Sequence, residues 1–261
     1  MTTQSWPDHA ANEYVARLSD LQAEIRTQVV HSQLVRHIQL GASVVDVGGG
    51  DGRQSIRLAR RGHDVTIVEP SSVMRAHCAR RLESESADVV ARVRLVEGSA
   101  ASATDVVGSQ RFDAVLCHGV LPYVEDPASL IASLYSVAAP GALLSIIAKN
   151  ATALPIMPSH HGRWDEVLDL FDVDRVVNHM GIMTRADTPA NLSRIVEGLD
   201  ATVDRWYGIS FFTQGQSAPR DTIPDDVFAA ILAAELAASQ RDPFRQLSNM
   251  FHLLARCWNI R

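Results

Sequence analysis

The sequence predicts an α/β fold in which helices cover both faces of a mostly parallel sheet. Three observations predict it. Apolar runs of strand length alternate with helix-like segments from residue 44 onward, the pattern of repeated βαβ units. The first such run, Val44-Val45-Asp46-Val47, breaks into Gly48-Gly49-Gly50-Asp51-Gly52, and a helix-like stretch begins at Arg53. The second, Asp64 to Glu69, finishes on an acid about twenty residues after the glycines, where a nucleotide-binding α/β fold places a carboxylate against a ribose.

Each element has its own signal. Residues Asp8 to Gln39 carry Tyr14, Leu18, Leu21, Ile25, Val29, Leu34, Val35 and Ile38 at helical spacing, so two helices are expected over the front of the sheet. The glycine turn lets backbone N–H groups approach a ligand at a helix N-terminus. Its helix, Ser55 to Arg61, stops at Gly62. Pro70-Ser71-Ser72 opens a helix from Val73 to Glu83, with Met74 directed at the sheet. Val93 to Val96 reads as the third strand, and Gly98-Ser99-Ala100-Ala101 as a loop small enough for an adenine to lie on its backbone.

Phe112 to Cys117 is the fourth strand and leads into His118-Gly119-Val120-Leu121-Pro122-Tyr123. Asp126-Pro127 caps a helix from Ala128 to Ala138, because Asp accepts the free N–H groups and Pro suits the first turn. Pro140-Gly141 turns into the fifth strand, Ala142 to Ala148. Ala151 to Arg185, apart from a short amphipathic run at Trp164 to Phe171, is too irregular for a core element and is expected to arch over the strand ends. Thr188-Pro189 caps a helix from Ala190 to Leu199; two late strands, Asp200 to Phe212 and Met250 to Trp258, flank a helix from Asp225 to Ser239. Right-handed crossovers place every strand-to-helix loop on one edge, so Gly48 to Gly52, Glu69, Ser99 to Ala101 and His118 line one crevice.

Composition narrows the function. The net charge of −6 gives no nucleic-acid footprint, and Lys149 is the only lysine, which excludes a lysine-rich patch. Cys78, Cys117 and Cys257 are too few and too scattered for a disulfide framework or a cysteine zinc site. No apolar run reaches membrane-spanning length and no signal-peptide pattern opens the chain, so the expected setting is the cytoplasm, without a membrane partner.

The spacing Gly48-x-Gly50-x-Gly52, with Glu69 and the segment His118 to Pro127, resembles a class I S-adenosylmethionine (SAM)-dependent methyltransferase. The whole chain, through Arg26, Asn150 and Trp206-Tyr207-Gly208-Ile209, is similar to the bacterial tRNA carboxymethoxyuridine methyltransferase family. The resemblance implies a Rossmann-like sheet of seven strands in the order 3-2-1-4-5-7-6 with a small helical cap. It also implies one methyltransferase domain over residues 1–261, with residues 1–40 as an N-terminal lid and residues 151–187 as a cap insertion. SAM, leaving as S-adenosylhomocysteine (SAH), is the implied cofactor, without a metal. Arg26, Gly48, Gly49, Glu69, Ser99, Ala100, Ala101 and His118 are its implied contacts, and Asp46, Gly50 and Pro70 complete the set. Arg26 suits the methionine carboxylate, which a guanidinium can grip with two parallel bonds.

His118 is the candidate catalytic base, since an imidazole titrates near neutrality and an O–H or N–H acceptor must lose a proton. Tyr123, Asn150, Met157, His160, His161, Trp164, His179 and Met180 are the candidate acceptor-binding residues. The family's insertion carries a lysine run, whereas Asp172 to Arg185 here has two arginines offset by acids, and Ser210 stands where the family has an arginine. A small-molecule acceptor methylated at oxygen or nitrogen is therefore favoured over tRNA. The alternatives are methylation of a carboxyl group on a tRNA wobble uridine, and non-catalytic SAM binding. A dinucleotide oxidoreductase fits less well, because its last glycine falls three residues beyond the second.

Overall fold

The computed structural model describes residues 8–100, 102–178 and 180–258. Two helices, α1 (Asp8–Ala16) and α2 (Leu21–Leu34), precede β1 (Ser43–Val47). The first half then alternates as the sequence predicts: α3 (Arg53–Ala59), β2 (Asp64–Glu69), α4 (Ser72–Leu82), a short α5 (Ala87–Ala91), β3 (Val93–Glu97), a short α6 (Ala103–Val107) and β4 (Phe112–His118). After α7 (Pro127–Ser136) comes β5 (Ala138–Lys149). Residues 151–187 hold α8 (Ile156–His160), α9 (Trp164–Asp169), β6 (Arg175–Val177) and β7 (Met183–Arg185), followed by α10 (Pro189–Glu197), β8 (Ala201–Ile209), α11 (Asp225–Ala238) and β9 (Met250–Cys257).

Seven strands form one sheet in the order β3-β2-β1-β4-β5-β9-β8, parallel through β5 and antiparallel for the last two. Numbered within the sheet alone, this is the expected 3-2-1-4-5-7-6. Side chains alternate faces with a period of two. Val45, Val47, Val115, Cys117, Leu144 and Ile146 therefore pack beneath α7 and α10, and Val44, Leu116, Leu143, Ile147 and Leu254 beneath α2 and α3. Both faces are covered, which is why these strands read as continuous apolar runs. Three leucine-type positions of α2, Leu21, Ile25 and Val29, instead meet Phe228 of α11.

Three details differ from the sequence reading. The helix before β5 ends at Ser136, and the strand starts at Ala138. Pro140-Gly141 does not precede the strand but bulges from it, so that the register jumps from Phe112↔Ala138 to Ala114↔Leu143. The segment Ala151 to Arg185, read as irregular, contains the β6–β7 hairpin, closed by Asn178, whose Oδ1 accepts from the N–H groups of Met180 and Ile182. This insertion leaves and rejoins the fold at one point: Ala151 N–H donates to Asp187 O, and Asp187 N–H donates to Lys149 O.

Candidate functional site

The site is built at the carboxyl ends of the parallel strands. Backbone geometry demands glycine there. Gly48, Gly50 and Gly52 have φ of 74°, 60° and 72°, a region that L side chains rarely adopt. A Cβ on Gly48 would collide with Val120, and one on Gly49 would lie 2.8 Å from Ile67 and 3.0 Å from the Asp46 carboxylate. The turn is thus a close-fitting cradle of bare backbone rather than a loose connection.

Two acids brace it from beneath. Asp46 is 2% exposed; its Oδ2 accepts from the Ser55 hydroxyl at 2.6 Å, and its Oδ1 has no partner among the described residues. Burial above all pushes its pKa up to about 6. Glu69 is also buried, and its two oxygens accept from Gly50 N–H and Ser71 N–H, each at 2.9 Å. Its pKa is raised by burial, against the pull of those two amides. Each oxygen keeps a lone pair, so the carboxylate can accept further bonds. Beside it, Pro70 is exposed and turns its carbonyl to Arg75. Ser99 and Ala100 follow β3, with Ser99 N–H donating to Ser102 Oγ at 2.9 Å.

Arg26 of α2 reaches the same edge. Its Nη2 donates to Tyr14 Oη at 3.0 Å, and Asp51, Tyr123 and His118 all lie within its electrostatic reach. Tyr123 sits in a 3-10 turn, Leu121–Tyr123, that lies against β7, and the side chain of Asn178 hydrogen-bonds it. Burial pushes the Tyr123 phenol up to about 12. His118, at the end of β4, donates or accepts at Nε2 with Ser145 Oγ, 2.8 Å away. Burial and the nearby Arg26 charge lower its pKa to about 3, so it stays neutral.

The remaining candidates are less concentrated. Asn150 is fully committed to backbone: its Nδ2 donates to Gln246 O and Ser248 O at 2.8 Å, and its Oδ1 accepts from Thr152 N–H. That geometry holds the end of β5 to the segment before β9 and leaves the amide little to offer a ligand. His160, His161 and Trp164 are exposed on the insertion. Met157 packs on Gly215, and Met180 lies in the β6–β7 turn. Ala101 and His179 lie outside the described residues.

Sequence reading missed Tyr14, Asp51 and the polar chain behind His118. The available signal for the last was a polar residue interrupting an apolar strand, Ser145 in β5 and His252 in β9. Among the described residues no set of three His, Cys, Asp or Glu side chains is arranged to hold a metal, and no helix is long and apolar enough to cross a membrane.

Residues 45–144 match the family model of a methyltransferase domain. The tRNA 5-carboxymethoxyuridine methyltransferase of Escherichia coli (strain K12) is 32% identical over 124 residues, 48% of this chain and 46% of that protein. The ubiquinone biosynthesis O-methyltransferase of Xanthomonas campestris pv. campestris (strain B100) is 40% identical over 116 residues, 43% of this chain and 45% of that protein. The chain thus aligns with about half the length of the curated relatives it matches. Among solved structures, magnesium protoporphyrin IX methyltransferase (ChlM) from Synechocystis PCC 6803 with bound SAH superposes with a TM-score of 0.63 at 17% identity, over 94% of this chain and 93% of that one. Residues 45–144, which span the glycine cradle, Glu69 and His118, are thus similar to a methyltransferase domain, and the chain shares the Rossmann-like fold of that solved methyltransferase.

Proposed function

We propose that this chain is a SAM-dependent methyltransferase acting on an oxygen or nitrogen of a small-molecule acceptor. One observation carries the reading: a glycine cradle, a buried acid with lone pairs to spare, a small-residue loop and an arginine meet at one sheet edge. Bare backbone at Gly48 to Gly50 suits the amino-acid tail, Glu69 the two ribose hydroxyls, Ser99 and Ala100 the adenine, and Arg26 the carboxylate. When bound, SAM supplies a methyl group on a sulfonium, a good leaving group, so orientation of the acceptor does most of the remaining work. The N-terminal helices serve as a lid that brings Arg26 over the cradle, and the insertion of residues 151–187 as a cap that shields the site from water.

The arginines favour a small acceptor. A tRNA surface needs several cations free to neutralise phosphates. Of the four arginines that could gather into a basic face, Arg163, Arg185 and Arg220 are instead paired with acids, Glu166, Asp187 and Asp225, and Arg194 donates to the Asn191 side chain. The second reading, methylation of a carboxyl group on a modified tRNA uridine, draws on the Escherichia coli relative.

Two measurements test the proposal. Calorimetry with SAM and SAH should give saturable binding, and its absence removes the methyltransferase reading. Binding of bulk tRNA at low and high salt decides the acceptor: tight binding with a steep salt dependence overturns the small-molecule reading, and no binding at low salt supports it.

A further inference from the structure

Behind His118 runs a chain of buried polar side chains that the proposed SAM contacts do not include. Gln33 Oε1 lies 2.7 Å from His252 Nδ1, His252 Nε2 lies 2.7 Å from Ser145 Oγ, and Ser145 Oγ lies 2.8 Å from His118 Nε2. Gln33, Ser145 and His252 are 2%, 0% and 0% exposed. Strand pairing assembles the chain. Ser145 is paired with Leu116 on β4 and Leu254 on β9, and His252 with Ile147, so all three polar groups project from the α2 face of adjacent strands. Gln33 closes it from α2.

The direction of every hydrogen follows from the first link. With Gln33 Oε1 turned to the ring and its sealed Nε2 without a partner among the described residues, His252 carries its hydrogen on Nδ1, because an amide oxygen only accepts. Sealed among apolar side chains, His252 is held neutral. Its Nε2 therefore offers a lone pair and takes the Ser145 hydroxyl hydrogen. The Ser145 oxygen is left with lone pairs alone, and it accepts from His118 Nε2–H. In a neutral ring the lone pair then falls on His118 Nδ1, which makes no hydrogen bond among the described residues and is not one of the sealed, unpartnered atoms.

We propose that Gln33, His252 and Ser145 are positioning residues that lock His118 as the Nε2–H tautomer, so that Nδ1 is a fixed hydrogen-bond acceptor for a methyl acceptor bearing O–H or N–H. This rests on the methyltransferase reading above and sharpens it to a substrate class. A hydroxyl or amine points its hydrogen at Nδ1 and turns a lone pair away, toward the methyl donor. A carboxylate has no hydrogen to give and would meet lone pair with lone pair. The chain thus selects protic acceptors over acidic ones.

The test is tautomer-sensitive NMR on the full chain labelled with 15N-histidine, with SAH titrated into the same samples. In the wild type, His118 should appear as the Nε2–H tautomer and His252 as the Nδ1–H tautomer. Ser145→Ala should abolish the His118 preference and leave SAH affinity unchanged. Ser145→Thr, which keeps the hydroxyl, should restore the preference, and Gln33→Leu, which cuts the chain at its far end, should also abolish it. An Nδ1–H His118 in the wild type, or an unchanged His118 in both Ser145→Ala and Gln33→Leu, overturns the proposal. Absence of SAH binding by the wild type overturns the methyltransferase reading instead and leaves the tautomer result standing. Label carried from methyl-labelled SAM into extract should be stable to alkali, as ethers and N-methyl groups are. Label released as methanol marks a methyl ester and overturns the acceptor class.

Discussion

Glu69 Oε2 accepts a hydrogen bond from Gly50 N–H at 2.9 Å, so the acid at the end of β2 and the glycine turn after β1 form one unit. Its other oxygen binds Ser71 N–H. The carboxylate therefore shapes the cradle before any ligand arrives. Glu69→Ala strands two half-buried amides and should lower the stability of the ligand-free protein by about 1–3 kcal/mol. It should also weaken SAM binding by roughly 2–4 kcal/mol, since the two charge-assisted bonds proposed to the ribose would be lost. Urea unfolding and calorimetry measure the two effects; unchanged stability with unchanged affinity would exclude Glu69 from both roles.

Arg26 should behave differently. Its one hydrogen bond to a described side chain goes to the Tyr14 hydroxyl, so structure depends on it little. Arg26→Ala should weaken SAM binding by about 1.5–3 kcal/mol, the worth of a bond between charged groups. The melting temperature without ligand should stay nearly unchanged. A mutant that loses stability but keeps its affinity would make Arg26 a structural residue.

The sheet and the cradle were legible because their causes are local. Five apolar runs, a burst of glycines and an acid at the end of the second strand each announce themselves within a few residues. The β6–β7 hairpin did not, because each strand has three residues and the decisive group is one side-chain oxygen of Asn178. Asn150 looked available in sequence, and only the fold brings Gln246 and Ser248 to it across 96 and 98 residues. The same holds for His118. Its position after β4 could be read, but the link through His252 to Gln33 spans 219 residues, and no local pattern encodes it.

Ser210 carries strain that a single substitution should release. It follows β8 at φ 58°, in the left-handed region, and its buried hydroxyl has no partner among the described residues. The backbone conformation costs a side-chain-bearing residue about 1–2 kcal/mol, and an unpaired buried hydroxyl about 1–3 kcal/mol. Ser210→Gly removes both and returns about 0.4–1 kcal/mol through the greater freedom of the unfolded chain. The net expectation is a gain of about 1–4 kcal/mol, read as a higher urea midpoint. Ser210→Ala removes only the hydroxyl and should gain less. Equal or reversed effects would show that the backbone at this position is unstrained.

Asp46 should make stability fall as pH rises, the reverse of a salt-bridged carboxylate. Its folded pKa is raised to about 6 by burial, while in the unfolded chain it takes the ordinary value of about 3.9. Between these values the folded state holds a proton that the unfolded state has lost. Stability contributed by the protonated form is therefore fully present below about pH 4, is lost up to about pH 6 and is flat beyond. The shift corresponds to a change on the order of 3 kcal/mol. Asp46→Asn keeps an oxygen for the Ser55 hydroxyl and does not titrate, so whatever its fixed cost, that cost is the same at every pH. The difference in unfolding free energy, wild type minus Asp46→Asn, should fall by about 2–3 kcal/mol across that window. Histidines held neutral in the fold, His118 and His252 among them, push the other way: they favour the folded state near neutrality and lose that advantage on acidification. They do so equally in both proteins, so they cancel from the difference. A difference that stays flat with pH would mean that Asp46 is ionised beneath the cradle throughout.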